Sequence, residues 1–207
     1  MTEHAGTETA DAVAWRSFID NPAGYAAPQR LADCFDGAVS AAVCERMLAT
    51  ERLQTRLSAL LVERHALAGS TAEDSDDIDR AVALVSADDL DDVALRSGAI
   101  YWAGALAGII LAQKAAALHE ALGEELCAFA VANRDLAGPV QSLDPVEGIR
   151  ERVLADGWRC LSAWCDAVPA AIGMRVRLKL PPDDLIDAIP PLPFVETGPA
   201  IVRRAAG

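Results

Sequence analysis

Residues 38–67 read AVSAAVCERMLATERLQTRLSALLVERHAL, a run of thirty positions without glycine or proline. Apolar side chains recur there at a largely helical spacing, while charged side chains occupy the other face. The apolar set is Val39, Val43, Met47, Leu53, Leu57, Leu60 and Leu61, and the charged set is Glu45, Arg46, Glu51, Arg52 and Arg56. This pattern predicts one long amphipathic helix, or two helices with a break near Thr50.

The rest of the chain has the composition of a helical globular protein. Of its 207 residues, 52% are hydrophobic, which is enough for a core and argues against overall disorder. Alanine supplies much of this fraction, and alanine has the highest helix propensity. We therefore expect an all-α fold, mainly a helical bundle, in a single domain over residues 1–207. Met1-Thr2-Glu3-His4 lacks the basic and apolar regions of a secretory signal, so we expect none.

The net charge of −13 argues against nucleic acid as a partner, because an acidic surface repels phosphate groups. Most of the excess lies in one segment. Nine acids and one base, Arg80, fall between Glu73 and Asp92, which gives a local charge of −8. The order of these acids does not match an EF-hand calcium loop. A solvated surface that docks onto a basic partner is the functional reading of this segment.

We predict that residues 68–92 form an acidic, mobile segment of the domain. A short helix through Leu84 is expected inside it, because Asp76 or Asp77 can cap a helix and negative charge is favourable at a helix N-terminus. The candidate partner-binding residues of this segment are Asp74, Asp76, Asp77 and Asp79.

No charged residue occurs from Ser97 to Gln113, and Gly104 and Gly108 there have Gly-x-x-x-Gly spacing. A membrane span needs about 20 apolar residues, and this run is shorter and rich in glycine. It predicts a buried helix that runs on to Leu118, with glycines that let a second helix approach closely and with no direct membrane insertion. Membrane insertion through this run is the alternative.

The segment Met174-Arg175-Val176-Arg177-Leu178-Lys179-Leu180-Pro181 alternates apolar and basic residues with a period of two. It follows a helix that starts at a capping-box pattern, Asp144-Pro145-Val146-Glu147, and that Pro169 closes. The alternation predicts one short extended, β-like segment. Arg175, Arg177 and Lys179 share its outer face and are candidate partner-binding residues. An equally good explanation is that they keep an exposed strand edge soluble.

Residues 181–207 contain six of the eleven prolines of the chain. Proline has no backbone N–H and interrupts regular structure. We predict an extended Pro-rich tail here, ordered only where Leu185, Ile189, Leu192 and Phe194 pack on the helical body.

No arrangement of residues points to catalysis, a metal or a cofactor. The five scattered cysteines, Cys34, Cys44, Cys127, Cys160 and Cys165, are expected to be reduced thiols. The three histidines lie far apart, and no pair of cysteines or histidines has zinc-site spacing. The chain has no nucleophile elbow, no Walker A loop and no dinucleotide-binding glycine motif. We expect no enzymatic activity and no cofactor. A small helical enzyme or ligand-binding protein of unknown substrate is the alternative.

Three segments, taken in order, carry a resemblance to a known family. The first is Phe18-Ile19-Asp20-Asn21-Pro22-Ala23-Gly24-Tyr25, followed by Pro28 and Leu31. The second joins Leu118–Gly123 and Asn133–Gly138, and the third joins Gly157-Trp158, Trp164 and Arg175–Pro181. Their order and spacing resemble the SctK family, the YscK/PscK-type proteins of type III secretion systems. The acidic stretch has no counterpart in this resemblance.

The resemblance implies a mainly helical, non-enzymatic adaptor of the type III secretion sorting platform. Such proteins lie at the cytoplasmic face of the bacterial inner membrane. They link the inner-membrane ring protein (SctD type) to the pod protein (SctQ type), which connects in turn to the stator and the export ATPase. The family has no catalytic or cofactor residues to assign to positions in this chain.

Overall fold

The computed structural model describes the backbone of residues 3–68 and 75–207 and the side chains from residue 10 onward within these ranges. Over this part of the chain it has thirteen α-helices and no β-strand, so the all-α prediction is confirmed. The helices are α1 (Glu3–Asp20), α2 (Pro28–Asp33), α3 (Ala41–Leu48), α4 (Gln54–Arg64), α5 (Asp77–Leu84), α6 (Leu90–Tyr101), α7 (Ala103–Ala107), α8 (Ala112–Leu122), α9 (Glu124–Ala132), α10 (Ile149–Ala167), α11 (Ala170–Leu178), α12 (Asp184–Asp187) and α13 (Leu192–Ala206). Short 3-10 helices cover Pro22–Gly24, Glu51–Leu53 and Arg134–Leu136.

The helices form two compact units. Unit 1 consists of Met1–Ala87 and Val168–Pro182, and therefore contains α1 to α5 and α11. Unit 2 consists of Asp88–Ala167 and Asp183–Gly207, and contains α6 to α10, α12 and α13. Each unit is thus built from two separate stretches of the chain. That the whole chain acts as a single domain stays a prediction.

The run of residues 38–67 folds as two helices, with the break at the predicted place. Helix α3 ends at Leu48 and α4 starts at Gln54, with extended backbone at Thr50 between them. The Thr50 hydroxyl donates to the Arg46 carbonyl oxygen at 2.7 Å, which satisfies one of the free carbonyls at the end of α3. The apolar faces of both helices belong to the core of unit 1, whose buried members are Ala23, Ala26, Leu31, Cys44, Leu57, Leu61, Leu67 and Leu178.

Unit 2 is organised by the packing of α6 and α13 on the long helix α10. Glycines allow α6 and α10 to approach closely. A Cβ atom placed on Gly98 would lie 1.8 Å from the Val153 carbonyl oxygen, and one placed on Gly157 would lie 1.7 Å from the Ala94 oxygen. The predicted close approach of a second helix therefore occurs at Gly98. Gly104 and Gly108, the pair with the recognisable spacing, are solvent-exposed and contact no second helix in this way.

The uncharged segment is not one continuous helix, so the prediction of an unbroken helix to Leu118 is wrong. Helix α6 ends at Tyr101, the five-residue α7 follows, and α8 begins only at Ala112. In the connection between α7 and α8, Ile110 is 95% exposed. None of the helices in the described ranges is both long enough and apolar enough to cross a membrane.

The alternating segment is helical, so the prediction of an extended strand at residues 174–180 is wrong. Helix α11 covers Ala170–Leu178 and is buried on most of its sides, including at Arg175 and Val176. A helix surrounded by protein shows no 3.6-residue apolar period, and over so few residues the remaining pattern resembles alternation. Methionine, arginine, leucine and lysine are all good helix formers, which fits the observed state.

The Pro-rich tail is also helical, so its prediction as an extended segment is wrong. Helix α13 buries Phe194, Gly198, Ile201, Val202 and Ala205, and this packing maintains the helix although Pro199 lies inside it. Of the tail residues expected to pack on the helical body, Phe194 is buried and Leu185 is half-buried. Ile189 and Leu192 point into solvent, with exposed fractions of 91% and 74%.

Candidate interaction surface

Arg175, a predicted partner-binding residue, lies inside unit 1 and connects three of its segments. Its guanidinium donates from Nη1 to the carbonyl oxygens of Leu67 (3.1 Å) and Ala171 (3.2 Å), and from Nη2 to that of Ile19 (3.0 Å). The side chain is 3% exposed, and burial lowers the pKa of Arg175, with nearby Tyr25 opposing that shift. Arg175 therefore fastens the end of α1 and the chain after α4 to helix α11.

Lys179 lies one helical turn further on and is buried as well. Its ammonium group donates to the carbonyl oxygens of Ala83 (2.6 Å) and Val85, at the C-terminus of α5. It also lies 5.1 Å from the centre of the Phe18 ring and 5.7 Å from that of Tyr25, close enough for cation–π attraction. Lysine is favourable here because the last carbonyls of a helix lack partners and carry partial negative charge.

The N-terminal segment that carries the resemblance packs on the C-terminal one. The Ala27 backbone N–H donates to the Leu178 carbonyl oxygen at 2.8 Å. The Arg30 side chain donates from Nε to the Leu180 oxygen at 2.9 Å and from Nη2 to the Pro181 oxygen at 3.4 Å. Tyr25 donates its hydroxyl to the Phe18 oxygen at 2.8 Å, and burial raises the pKa of Tyr25. Residues 18–31 and 175–181 thus form one structural element.

The acidic candidates have different environments. Asp76 caps α5, where its Oδ1 accepts a hydrogen bond from the Asp79 N–H at 2.8 Å, as the sequence predicted for Asp76 or Asp77. Asp77 is fully accessible and lies 3.5 Å from Arg80, whereas Asp79 is only 6% exposed. Asp74 lies outside the described residues, as do the other positions of 69–74. The rest of the predicted acidic stretch is described and contains α5 and the start of α6. That the stretch is mobile stays a prediction.

The remaining basic candidate, Arg177, is half-buried on α11. The alternation placed all three cations on one outer face, but a helical turn of 3.6 residues directs Arg175 and Lys179 inward together. Their inward orientation, on the helix surface that also bears Leu178, is the feature that sequence reasoning missed. That these acidic and basic residues bind a partner stays a prediction.

Unit 1 has a shallow groove of about 390 Å³ beside the end of α1 and the exposed side of α4. Its lining residues are Asp20, Asn21, Gln54, Thr55, Ser58, Ala59 and Val62. Ser58 organises the polar part: its hydroxyl accepts from the Ala23 N–H at 3.2 Å and donates to Asn21 Oδ1 at 2.8 Å. Neither histidine nor cysteine lines this groove.

A cysteine and a histidine that are far apart in the sequence lie close together in the structure. Cys34 Sγ lies 3.7 Å from His65 Nε2. Burial raises the pKa of the Cys34 thiol and lowers the pKa of His65, so both groups are held neutral near pH 7. A reactive cysteine needs the opposite shift of its pKa. In the described part of the chain, no three His, Cys, Asp or Glu side chains are grouped so that they could hold a metal ion.

The comparisons with known proteins cover residues 18–31 and 175–181, which pack together in unit 1. The family model described as YOP proteins translocation protein K (YscK) matches residues 17–203, which include both segments and almost the whole described chain. The chain belongs to the YscK family. The resemblance inferred from the sequence is therefore confirmed. No curated protein and no solved structure matches the chain.

Membership in the YscK family makes this chain a component of a type III secretion system. The family is one of secretion-system structural and adaptor proteins and is not known for enzymatic activity. Its members are expected to interact with other type III secretion components. In this YscK-family chain, residues 18–31 and 175–181 of the resemblance contribute to the core and the hydrogen bonds of unit 1.

Proposed function

We propose that this protein is a non-enzymatic adaptor of the type III secretion sorting platform. It links the inner-membrane ring protein (SctD type) to the pod protein (SctQ type), and through the pod protein to the stator and export ATPase. It acts in the cytoplasm, at the inner face of the inner membrane, and does not insert into the bilayer. The observation that carries this proposal is the family match over residues 17–203.

The internal contacts of unit 1 give Arg175 and Lys179 a structural role. The positively charged groups of Arg175 and Lys179 bind main-chain carbonyl oxygens, so both side chains stabilise the fold. A catalytic group instead has to be within reach of a substrate. Charged and apolar patches on the surface of a helical unit are suited to binding neighbouring proteins.

A three-component reconstitution tests the adaptor function. The cytoplasmic domain of the SctD-type protein and the full SctQ-type protein, both from the same bacterium, are mixed with and without this chain. We expect the two to co-elute in size-exclusion chromatography only when this chain is present, because it forms the link between them. Failure of the chain to bind either protein would overturn the proposal. Turnover of a metabolite by the pure chain would favour an enzyme instead.

Of the charged candidates, Asp77 is the best placed for direct contact with a basic partner, because it is fully accessible. Asp76 lies beside it, and Asp74 and Arg177 complete the proposed set of contact residues. In the reconstitution, Asp77→Lys should weaken binding to one of the two partners. Glu120→Lys, an equal charge reversal at an exposed position of α8, is the matched control and should have no such effect.

A further inference from the structure

The start of α13 and the connection before it present apolar side chains to solvent. Ile189, Leu192 and Val195 have exposed fractions of 91%, 74% and 48%, and we call these three residues the α13 strip. Leu192 and Val195 lie one turn apart on the helix, and Ile189 lies three residues before Leu192, in the connection from α12. Helix α13 packs on the rest of unit 2 through Phe194, Ile201 and Val202, and none of the three strip residues is among its buried residues.

All charged residues in the stretch of sequence around the α13 strip are acidic. From Pro181 to Val202 there are four acidic residues and no basic one. Asp183 and Asp187 bond to backbone N–H groups around α12. Asp184 and Glu196 are exposed and flank the strip in the sequence, and Glu196 follows Leu192 by one helical turn. An apolar centre with an acidic rim is complementary to an apolar surface with a basic rim.

The backbone between the residues of the α13 strip is stiffened by proline. Pro190 is buried, Pro191 is the residue before α13, and Pro193 lies in the first turn of that helix. Proline fixes φ and leaves the free protein with fewer conformations to lose on binding. The backbone that carries the exposed Ile189 and Leu192 therefore has few conformations to lose. Such pre-ordering is what a docking surface requires.

A second exposed apolar pair lacks these features. Ile110 and Leu111, between α7 and α8, are 95% and 70% exposed. They lie inside the uncharged run of residues 97–113, so no carboxylate of their own segment surrounds them. The two sites thus match in exposed apolar character and differ in local charge, which makes the Ile110–Leu111 pair a control for the α13 strip.

We propose that the α13 strip is the docking site for an amphipathic helix of a protein partner. That helix has apolar side chains one turn apart and lysine or arginine at its edges. It packs across Ile189, Leu192 and Val195, and its cations face Asp184 and Glu196. This inference rests on the adaptor function proposed above, since it names the chemistry by which one secretion-system partner is recognised.

The test measures binding of the full chain to the full SctQ-type protein and to the SctD-type cytoplasmic domain by biolayer interferometry. In the strip variant, Ile189→Ser and Leu192→Ser, we expect the Kd for one of these partners to rise about tenfold or more. In the charge variant, Asp184→Asn and Glu196→Gln, association should slow and depend less on salt. The control, Ile110→Ser and Leu111→Ser, should bind as the wild type does. Circular dichroism checks that all variants fold.

The possible results separate this inference from the proposed function. If the wild type binds its partners and the strip variant binds them equally well, the inference is wrong and the adaptor function stands. An equal loss of partner binding in the strip variant and the control would mean that the acidic residues around the strip do not determine where the partner binds. That result would also overturn the inference. A wild-type dimer that the strip variant converts to monomer would assign the strip to a second copy of this chain. A wild type that binds neither partner would overturn the adaptor function, and this inference with it.

Discussion

Replacing Gly98 by alanine should disrupt the packing of α6 on α10. The new Cβ atom would lie 1.8 Å from the Val153 carbonyl oxygen, while real Cβ atoms keep at least about 3.0 Å from such atoms. The obstructing atom belongs to the backbone of α10, so no side-chain rotation can relieve the clash. The two helices must therefore move apart by about 1.2 Å at this point, or α10 must deform locally.

The cost follows from the size of this displacement. A gap of about 1 Å removes a quarter to a half of the dispersion attraction between facing atoms. Overpacking in protein cores typically costs about 1–3 kcal/mol, and a fixed backbone obstacle belongs at the upper end of that range. The higher helix propensity of alanine returns about 1 kcal/mol at most. We expect the free energy of unfolding to fall by about 2 kcal/mol or more, with Tm lower by about 4–8 °C.

Urea and thermal unfolding, followed by circular dichroism, measure the effect. Gly104→Ala is the control, because its new Cβ would meet only the Ala137 Cβ at an ordinary 3.7 Å. The control should leave stability unchanged or raise it by up to about 1 kcal/mol through helix propensity. Equal stability of Gly98→Ala and wild type would refute the close approach of α6 and α10 described above.

Three further changes test other contacts. Lys179→Met leaves the Ala83 and Val85 carbonyls without their donor and should lower the free energy of unfolding, measured by urea titration, by about 2–4 kcal/mol. Unaltered stability would contradict the internal role of Lys179. Asp76→Ala removes the cap of α5 and should cost about 1 kcal/mol, with a smaller loss for Asp77→Ala as the comparison. Burial raises the pKa of Tyr101 to about 12, so the protonated form is favoured in the folded state; stability from this group is complete below about pH 10 and is lost as the pH rises to about 12. Tyr101→Phe should make stability less dependent on pH over that interval, and an identical alkaline profile would show that Tyr101 does not contribute.

Several helices could be predicted because their boundary signals are local. Asp76 is a good N-cap residue and starts α5, Gly123 separates α8 from α9, and Pro169 follows the end of α10. The interruption near Thr50 also follows from a local change in the apolar period. Each of these signals acts within about one helical turn of the residue concerned. Tertiary packing did not override them.

The C-terminal third was predicted poorly because its helices depend on distant packing. The alternation at residues 174–180 covers too few positions to distinguish a strand from a helix that is buried on several sides. Prolines in the tail suggested extended structure, yet Pro193 lies in the first turn of α13, where proline is tolerated. The exposure of Ile189 and Leu192, on which the α13 strip depends, was likewise not predictable from their apolar character.

The sequence by itself determined the all-α class, the break near Thr50, the capped start of α5, and membership in the YscK family through its spaced motifs. Only the tertiary structure decided that Arg175 and Lys179 point inward, that Gly98 faces the α10 backbone and that α13 is a helix. The physical reason is the separation in sequence over which each interaction acts. Capping and propensity act between near neighbours, whereas Arg175 meets Ile19 across 156 positions and Lys179 meets Ala83 across 96. Such contacts exist only once the helices have packed.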